Sequence, residues 1–239
     1  SPSKLKIMQN EVDYLGFSVS HKGIRPLESK VAVILQYPRP ETLKQVRRFT
    51  AMLGFYAKHM KNLSVILGPL YDLTRKNKEF KWTDECENSF LRSKELLASR
   101  TLLGFIDLDP NNPPLVYCDA SDHAVGISLN QWQNGKIVPL AFNSKRFSLP
   151  QLKWSTYRKE LEGVIWALKI FKNYLLFRPF NLYTDHRPLT YIHASKNLTP
   201  VLQRHLEFLS EFDFKLFHVK GKHNSVVDAL SRILVNEAT

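Results

Sequence analysis

A mainly helical module followed by a mixed α/β sheet is the fold class this sequence predicts, and three observations predict it. From Glu28 to about Leu103, apolar residues recur at helical spacing. Residues 107–114, DLDPNNPP, are dense in proline, asparagine and aspartate and interrupt that rhythm. Beyond them come three short strand-like runs in succession, then helix and strand in alternation. Antiparallel neighbours can be joined by tight turns while parallel ones need a crossover, so this order specifies a mixed sheet of five strands flanked by helices.

The elements follow in order. DYLGFSVSHKGIRP alternates Leu15, Phe17 and Val19 with small or polar neighbours and turns at His21-Lys22-Gly23, which predicts a strand entering a hairpin. Prolines in YPRP (37–40) and GP (68–69) must break the helical ladder of the next segment. Within it, Val46, Phe49, Leu53, Tyr56 and Met60 step by three or four. Lys44, Arg47, Arg48, Lys58 and Lys61 occupy the other faces, either as a phosphate-tracking surface or as ordinary solvated charge. A further helix is expected from Thr83, a capping residue followed by Asp84 and Glu85 at the positive helix end.

After the linker, LVYCDAS, AVGISLNQ and KIVPLAFNS read as strands, with Asn134-Gly135 as a hairpin turn. STYRKELEGVIWALKIFKNYL reads as a helix, FNLYTD as a strand, PVLQRHLEFLSEF as helical, FKLFHV as a strand, and the residues from Asn224 as a short helix.

The chain has 239 residues and a formal net charge of +12, from 34 Lys and Arg against 22 Asp and Glu. The excess is spread evenly, which suits a polyanionic partner or simply a well-solvated basic protein. Cys86 and Cys118 have no paired spacing and read as small apolar fillers. The apolar runs fall short of the roughly 20 residues that span a bilayer, and SPSKLKIMQN lacks a signal-peptide pattern, so a soluble, unsecreted chain without membrane contact is expected, in the cytoplasm or nucleus.

Four acids stand out by position. Asp119 ends the apolar run Leu115-Val116-Tyr117-Cys118, where it either forms a turn or faces a cleft. Asp185 ends FNLYT and either caps the next helix or lines the same cleft. Glu160 projects to the edge of the helical face made by Tyr157, Leu161, Val164, Leu168, Phe171 and Leu175, whereas Lys159 and Glu162 project away. Asp228 projects opposite the stripe Val226, Val227, Leu230, Ile233 and Leu234, as a solvated first-turn acid would. Were the four to converge, divalent cations would relieve their repulsion. Carboxylates without histidine or thiolate suit Mg²⁺, with Mn²⁺ as a substitute, and two such ions can clamp an in-line phosphoryl displacement.

These motifs, in this order, resemble a known family. YLGFSVSHKGIRP, PRPETLKQVRRFTAMLGFYAKHM, FKWTDECENSFLRSK, YCDASDHAVGISLNQ, STYRKELEGVIWALKIFKNYL, YTDHRPL and GKHNSVVDALSR together resemble the later part of the reverse transcriptase of Gypsy-type LTR retrotransposons, from about Val12 to Arg232. The resemblance implies an end-of-palm hairpin (1–27), a helical thumb or connection module (28–106) and a ribonuclease H domain (112–235). It implies two-metal hydrolysis of the RNA strand of RNA:DNA hybrids, with Asp119, Glu160, Asp185 and Asp228 as catalytic metal ligands. It also implies a partner in the polymerase part of a reverse transcriptase, or a homodimer.

Two departures bear on this. The family's polymerase motif holds two adjacent aspartates, and no two Asp residues are adjacent here, so the expected activity is nuclease alone, in a piece or relic of a longer protein. His218 stands where Gypsy-type elements commonly have tyrosine; cellular and retroviral ribonucleases H often place a histidine about ten residues before their last aspartate, where it assists product release. His218 is thus either a strand residue replacing an aromatic or a proton-exchanging group, and His223 is a surface residue beside Lys220 and Lys222. The competing expectation is a nucleic-acid-binding or structural subunit without catalysis.

Overall fold

The computed structural model describes residues 8–75, 78–99, 101–185 and 200–219. It divides into two compact units, one running to Phe105 and including Ala141–Asn143, the other made of the rest from Ile106, with the break after Phe105 falling just before the linker that the composition marks.

The first unit opens with a three-stranded antiparallel sheet, β1 (Glu11–Tyr14), β2 (Phe17–Ser20) and β3 (Gly23–Pro26), in the order β1-β2-β3. The alternation read through DYLGFSVS as one strand is in fact cut by a turn. Leu15 and Gly16 take positive φ values of 47° and 83°, so Tyr14 pairs back onto Phe17 and Leu15 is exposed. Two consecutive left-handed residues turn a two-residue hairpin, and hydrophobic period alone cannot reveal them. His21-Lys22 makes the second hairpin turn, as expected.

Helices follow: α1 (Glu28–Leu35), α2 (Leu43–Phe55), α3 (Leu63–Ile66), α4 (Gly68–Leu73) and α5 (Asp84–Ala98). Thr42 and Gln45 form a reciprocal capping box that starts α2, and the Thr83 hydroxyl accepts the Cys86 N–H at the start of α5. The expected longer α2 stops at Phe55 and continues as a 3₁₀ turn, Ala57–His59. Val46, Phe49, Leu53, Leu67, Leu70, Phe90 and Leu97 are buried together in the core. Lys44, Arg47, Arg48, Lys58 and Lys61 remain exposed. His59 is buried among the apolar core residues: its Nδ1 lies 2.9 Å from the Thr101 carbonyl and its ring stacks on Phe17.

The second unit is a five-stranded mixed sheet in the order β6-β5-β4-β7-β8. The strands are β4 (Leu115–Ala120), β5 (Ala124–Gln133), β6 (Lys136–Arg146), β7 (Phe180–Thr184) and β8 (Phe214–His218). β4 pairs antiparallel with β5 and parallel with β7, which pairs parallel with β8. Asn134 and Gly135 turn β5 into β6 at φ 52° and 73°. Between β6 and β7 lie α6 (Leu149–Leu152), α7 (Thr156–Ile170) and α8 (Lys172–Leu175); α9 (Pro200–Leu209) precedes β8. The single helix expected over 155–175 is two, divided at buried Phe171.

The linker is anchored rather than loose. Gln131, wholly buried in β5, accepts the Asp107 N–H and donates to the carbonyls of Asp107 and Asn112. Both cysteines are buried and free, as fillers should be. Among the described residues, no helix is long and apolar enough to cross a membrane.

Candidate active site

The carboxyl ends of β4 and β7 lie side by side because those strands are parallel and in register. Cys118 is the partner of Thr184, so the next residues, Asp119 and Asp185, stand at equivalent positions on neighbouring strands, about 5 Å apart along the sheet. Both acids terminate apolar runs, Leu115–Cys118 and Phe180–Thr184, whose buried residues hold the strand ends rigid.

Glu160 comes from α7, which packs across β4 and β5. The Ser155 hydroxyl accepts the Arg158 N–H and caps this helix, so Glu160 lies early in its second turn. Glycine at 163 sets how closely the helix approaches. A β-carbon there would fall 2.8 Å from Val125 Cγ2 and 2.9 Å from Cys118 Sγ, so only a hydrogen fits. That approach carries Glu160, one turn away, against the strand ends. Glu160 is 2% exposed, and its carboxyl takes a hydrogen bond from the Ala120 backbone N–H, directly after Asp119.

Asp119, Glu160 and Asp185 act on one another electrostatically. Burial, then the charges of Asp185 and Asp119, push the Glu160 carboxyl up to about 8. Burial also raises the Cys118 thiol, and the charges of Glu160, Asp119 and Asp185 all add to the rise. Glu160 Oε2 and Asp185 Oδ1 are buried oxygens with no hydrogen-bond partner. Two orphaned carboxylate oxygens in one place fit a hard divalent cation, which would satisfy both and offset their repulsion. Among the described residues, no three His, Cys, Asp or Glu side chains are gathered tightly enough to hold an ion. Asp228, like His223, Lys220 and Lys222, lies outside the described residues.

Lys159 behaves differently from the periodicity expectation, whereas His218 meets one of its two readings. Lys159 does not project into solvent: it is buried, and its ammonium lies 3.2 Å from Asp122 Oδ1 in the β4–β5 turn. Only the tertiary packing of α7 onto that turn could show this. His218 is a strand residue, the last of β8 and the partner of Thr184; its Nε2 lies 3.0 Å from the Asp185 carbonyl oxygen. A histidine bonded to the backbone beside a candidate ligand steadies that ligand's strand end.

Comparison with known proteins agrees with this architecture. Residues 109–212 match the family model described as the RNase H-like domain found in reverse transcriptase. The chain is 37% identical over 236 residues to the retrovirus-related Pol polyprotein from transposon 412 of Drosophila melanogaster, covering 99% of this chain and 19% of that protein. It is 30% identical to the gypsy Pol polyprotein of the same organism over 249 residues, with 99% and 24% covered. It is 31% identical to the Tf2-3 transposon polyprotein of Schizosaccharomyces pombe over 237 residues, with 97% and 18% covered. The chain thus spans about a fifth of the length of these relatives. Its fold matches that of the foamy viral protease-reverse transcriptase solved with an RNA/DNA hybrid, at 24% identity and a TM-score of 0.73, covering 92% of this chain and 31% of that one. With matches across nearly its whole length and a five-stranded mixed sheet in its second half, the chain belongs to the LTR-retrotransposon Pol family, as a reverse-transcriptase region that contains an RNase H-like domain.

Proposed function

We propose that this chain hydrolyses the RNA strand of RNA:DNA hybrids endonucleolytically with Mg²⁺ or Mn²⁺, as the ribonuclease H part of a retrotransposon reverse transcriptase. The observation that carries the reading is the placement of Asp119 and Asp185 just past the ends of two neighbouring parallel strands, with Glu160 on the helix packed against them and raised by their charges. Asp119, Glu160 and Asp185, with Asp228 as the expected fourth, would hold the ions. Bound ions would supply Lewis-acid stabilisation of the phosphoryl group and a more acidic water.

The chain's own residues set the conditions for that chemistry. Glu160 is held largely protonated at neutral pH by burial and by its two acidic neighbours, so ion binding must displace its proton. The Ala120 N–H orients the Glu160 carboxyl. Exposed Lys44, Arg47 and Arg48 on α2 supply positive charge of the kind that contacts phosphates without reading sequence.

The test is cleavage of an RNA:DNA hybrid labelled in the RNA strand, with Mg²⁺ or Mn²⁺ and with a chelator. Metal-dependent internal cuts confined to the RNA support the reading. Salt-sensitive hybrid binding without cleavage in either metal would leave a nucleic-acid-binding module instead.

A further inference from the structure

Glu160 is bracketed by two fixtures, of which Gly163 is one and Lys159 the other. Among the described residues, Lys159 is the one lysine or arginine that is buried. Its side chain is 7% exposed, while that of its partner, Asp122, is 83% exposed. An ion pair with so exposed an acid gains little, whereas burying the ammonium costs much. Net stability therefore does not account for the pair.

Its placement does. Asp122 sits in a turn that is itself held firmly: the Ser121 N–H donates to the Ala124 carbonyl, and the Ser121 hydroxyl accepts the N–H groups of His123 and Ala124. Four residues along α7 from Lys159, Gly163 seats the helix on Cys118 and Val125 at the base of that same turn. One helical turn, 159–163, thus clamps onto one strand turn, 118–125, at both ends. Glu160 lies inside the clamp, hydrogen-bonded to Ala120.

We propose that the Lys159–Asp122 pair is a positioning device for the candidate metal site, fixing the start of α7 so that Glu160 reaches Asp119 and Asp185. The proposal rests on the metal-site reading above. Lys159 touches no substrate in this role; it acts through Glu160.

The experiment uses the full chain and its K159M, K159R and D122N variants. The readouts are Mn²⁺ affinity by titration calorimetry, the Mg²⁺ concentration for half-maximal hybrid cleavage, kcat and KM for the hybrid, and the unfolding midpoint in chelator. Losing a residue that orients a metal ligand weakens metal affinity or activity about 10-fold or more. K159M is expected to bind Mn²⁺ about that much more weakly and to need correspondingly more Mg²⁺, with KM for the hybrid unchanged and no lower unfolding midpoint. K159R is expected to recover most of the loss, and D122N to show a smaller shift in the same direction. Should K159M fail to fold, D122N, which alters only an exposed side chain, decides by the same readouts. Parental Mn²⁺ affinity and Mg²⁺ requirement in both K159M and D122N would overturn the proposal. A parent chain that binds Mn²⁺ without cleaving overturns the ribonuclease reading alone, and the Mn²⁺ affinities then decide the role of Lys159.

Discussion

Cys118 and Thr184 are register partners across the parallel strands β4 and β7, and that single pairing sets Asp119 beside Asp185. The site is therefore as rigid as the sheet. Substituting either acid removes charge without disturbing the buried strand that carries it. Asp119→Asn and Asp185→Asn are each expected to lower hybrid cleavage roughly 100-fold or more, since metal stabilisation of the transition state is worth several kcal/mol and each ~1.4 kcal/mol is tenfold in rate. Gel assay of the labelled RNA measures this; an unchanged rate in both variants removes them from the site.

Glu160 makes the folded state pH-sensitive. Its carboxyl is raised from 4.5 to about 8, so between those values the folded protein keeps a proton that the unfolded chain has lost. Stability from this group is full below about pH 4.5 and declines as pH rises toward 8. Denaturant midpoints measured from pH 5 to 9 should fall over that window in chelator, and Glu160→Gln should flatten the fall. Saturating Mn²⁺ should flatten it too, because the ion takes the place of the proton.

The approach of α7 to β4 leaves no room at Gly163. Gly163→Ala must displace Cys118 Sγ and Val125 Cγ2, both closer than 3.0 Å to the new β-carbon, and overpacking of this kind costs about 1–3 kcal/mol. Adding Cys118→Ala should return part of that loss in urea denaturation. If Gly163→Ala is as stable as the parent, the helix does not sit as described.

His59 predicts an acid-labile first unit. It is 1% exposed, its Nε2 has no partner, and burial holds it down at about 4. The unfolded histidine takes up a proton that the folded one refuses between about pH 6.5 and 4. Stability from this group is therefore present above 6.5 and lost as pH falls toward 4. His59→Phe, which keeps a ring beside Phe17, should flatten the acid limb of the unfolding curve monitored in this unit.

His218 offers a separable test. Its Nε2 contact with the Asp185 carbonyl can be kept by a glutamine side chain and not by leucine. His218→Gln should cleave near the parental rate, and His218→Leu up to about tenfold more slowly, as expected for losing a bond that steadies a ligand. Equal single-turnover rates with slower multiple turnover in both variants would instead assign His218 to product release.

Much of this molecule is written in local sequence. Turn chemistry at Asn134-Gly135, the cap at Thr83, the helical stripe of α2, and the apolar runs ending in Asp119 and Asp185 all follow from neighbours a few residues apart, which is why the five strands, and two acids at strand ends, can be read there. The turn at Leu15-Gly16 was hidden because apolar alternation continues across it, and backbone handedness leaves no trace in that pattern. Periodicity places a residue only against its own helix axis, so it could set Glu160 on an edge and Lys159 outward but could not show what packs there. Tertiary structure decided both, by pressing α7 onto the β4–β5 turn at Gly163. Burial there makes Glu160 hold its proton, and the approach of Asp122 turns a surface lysine into an interior one.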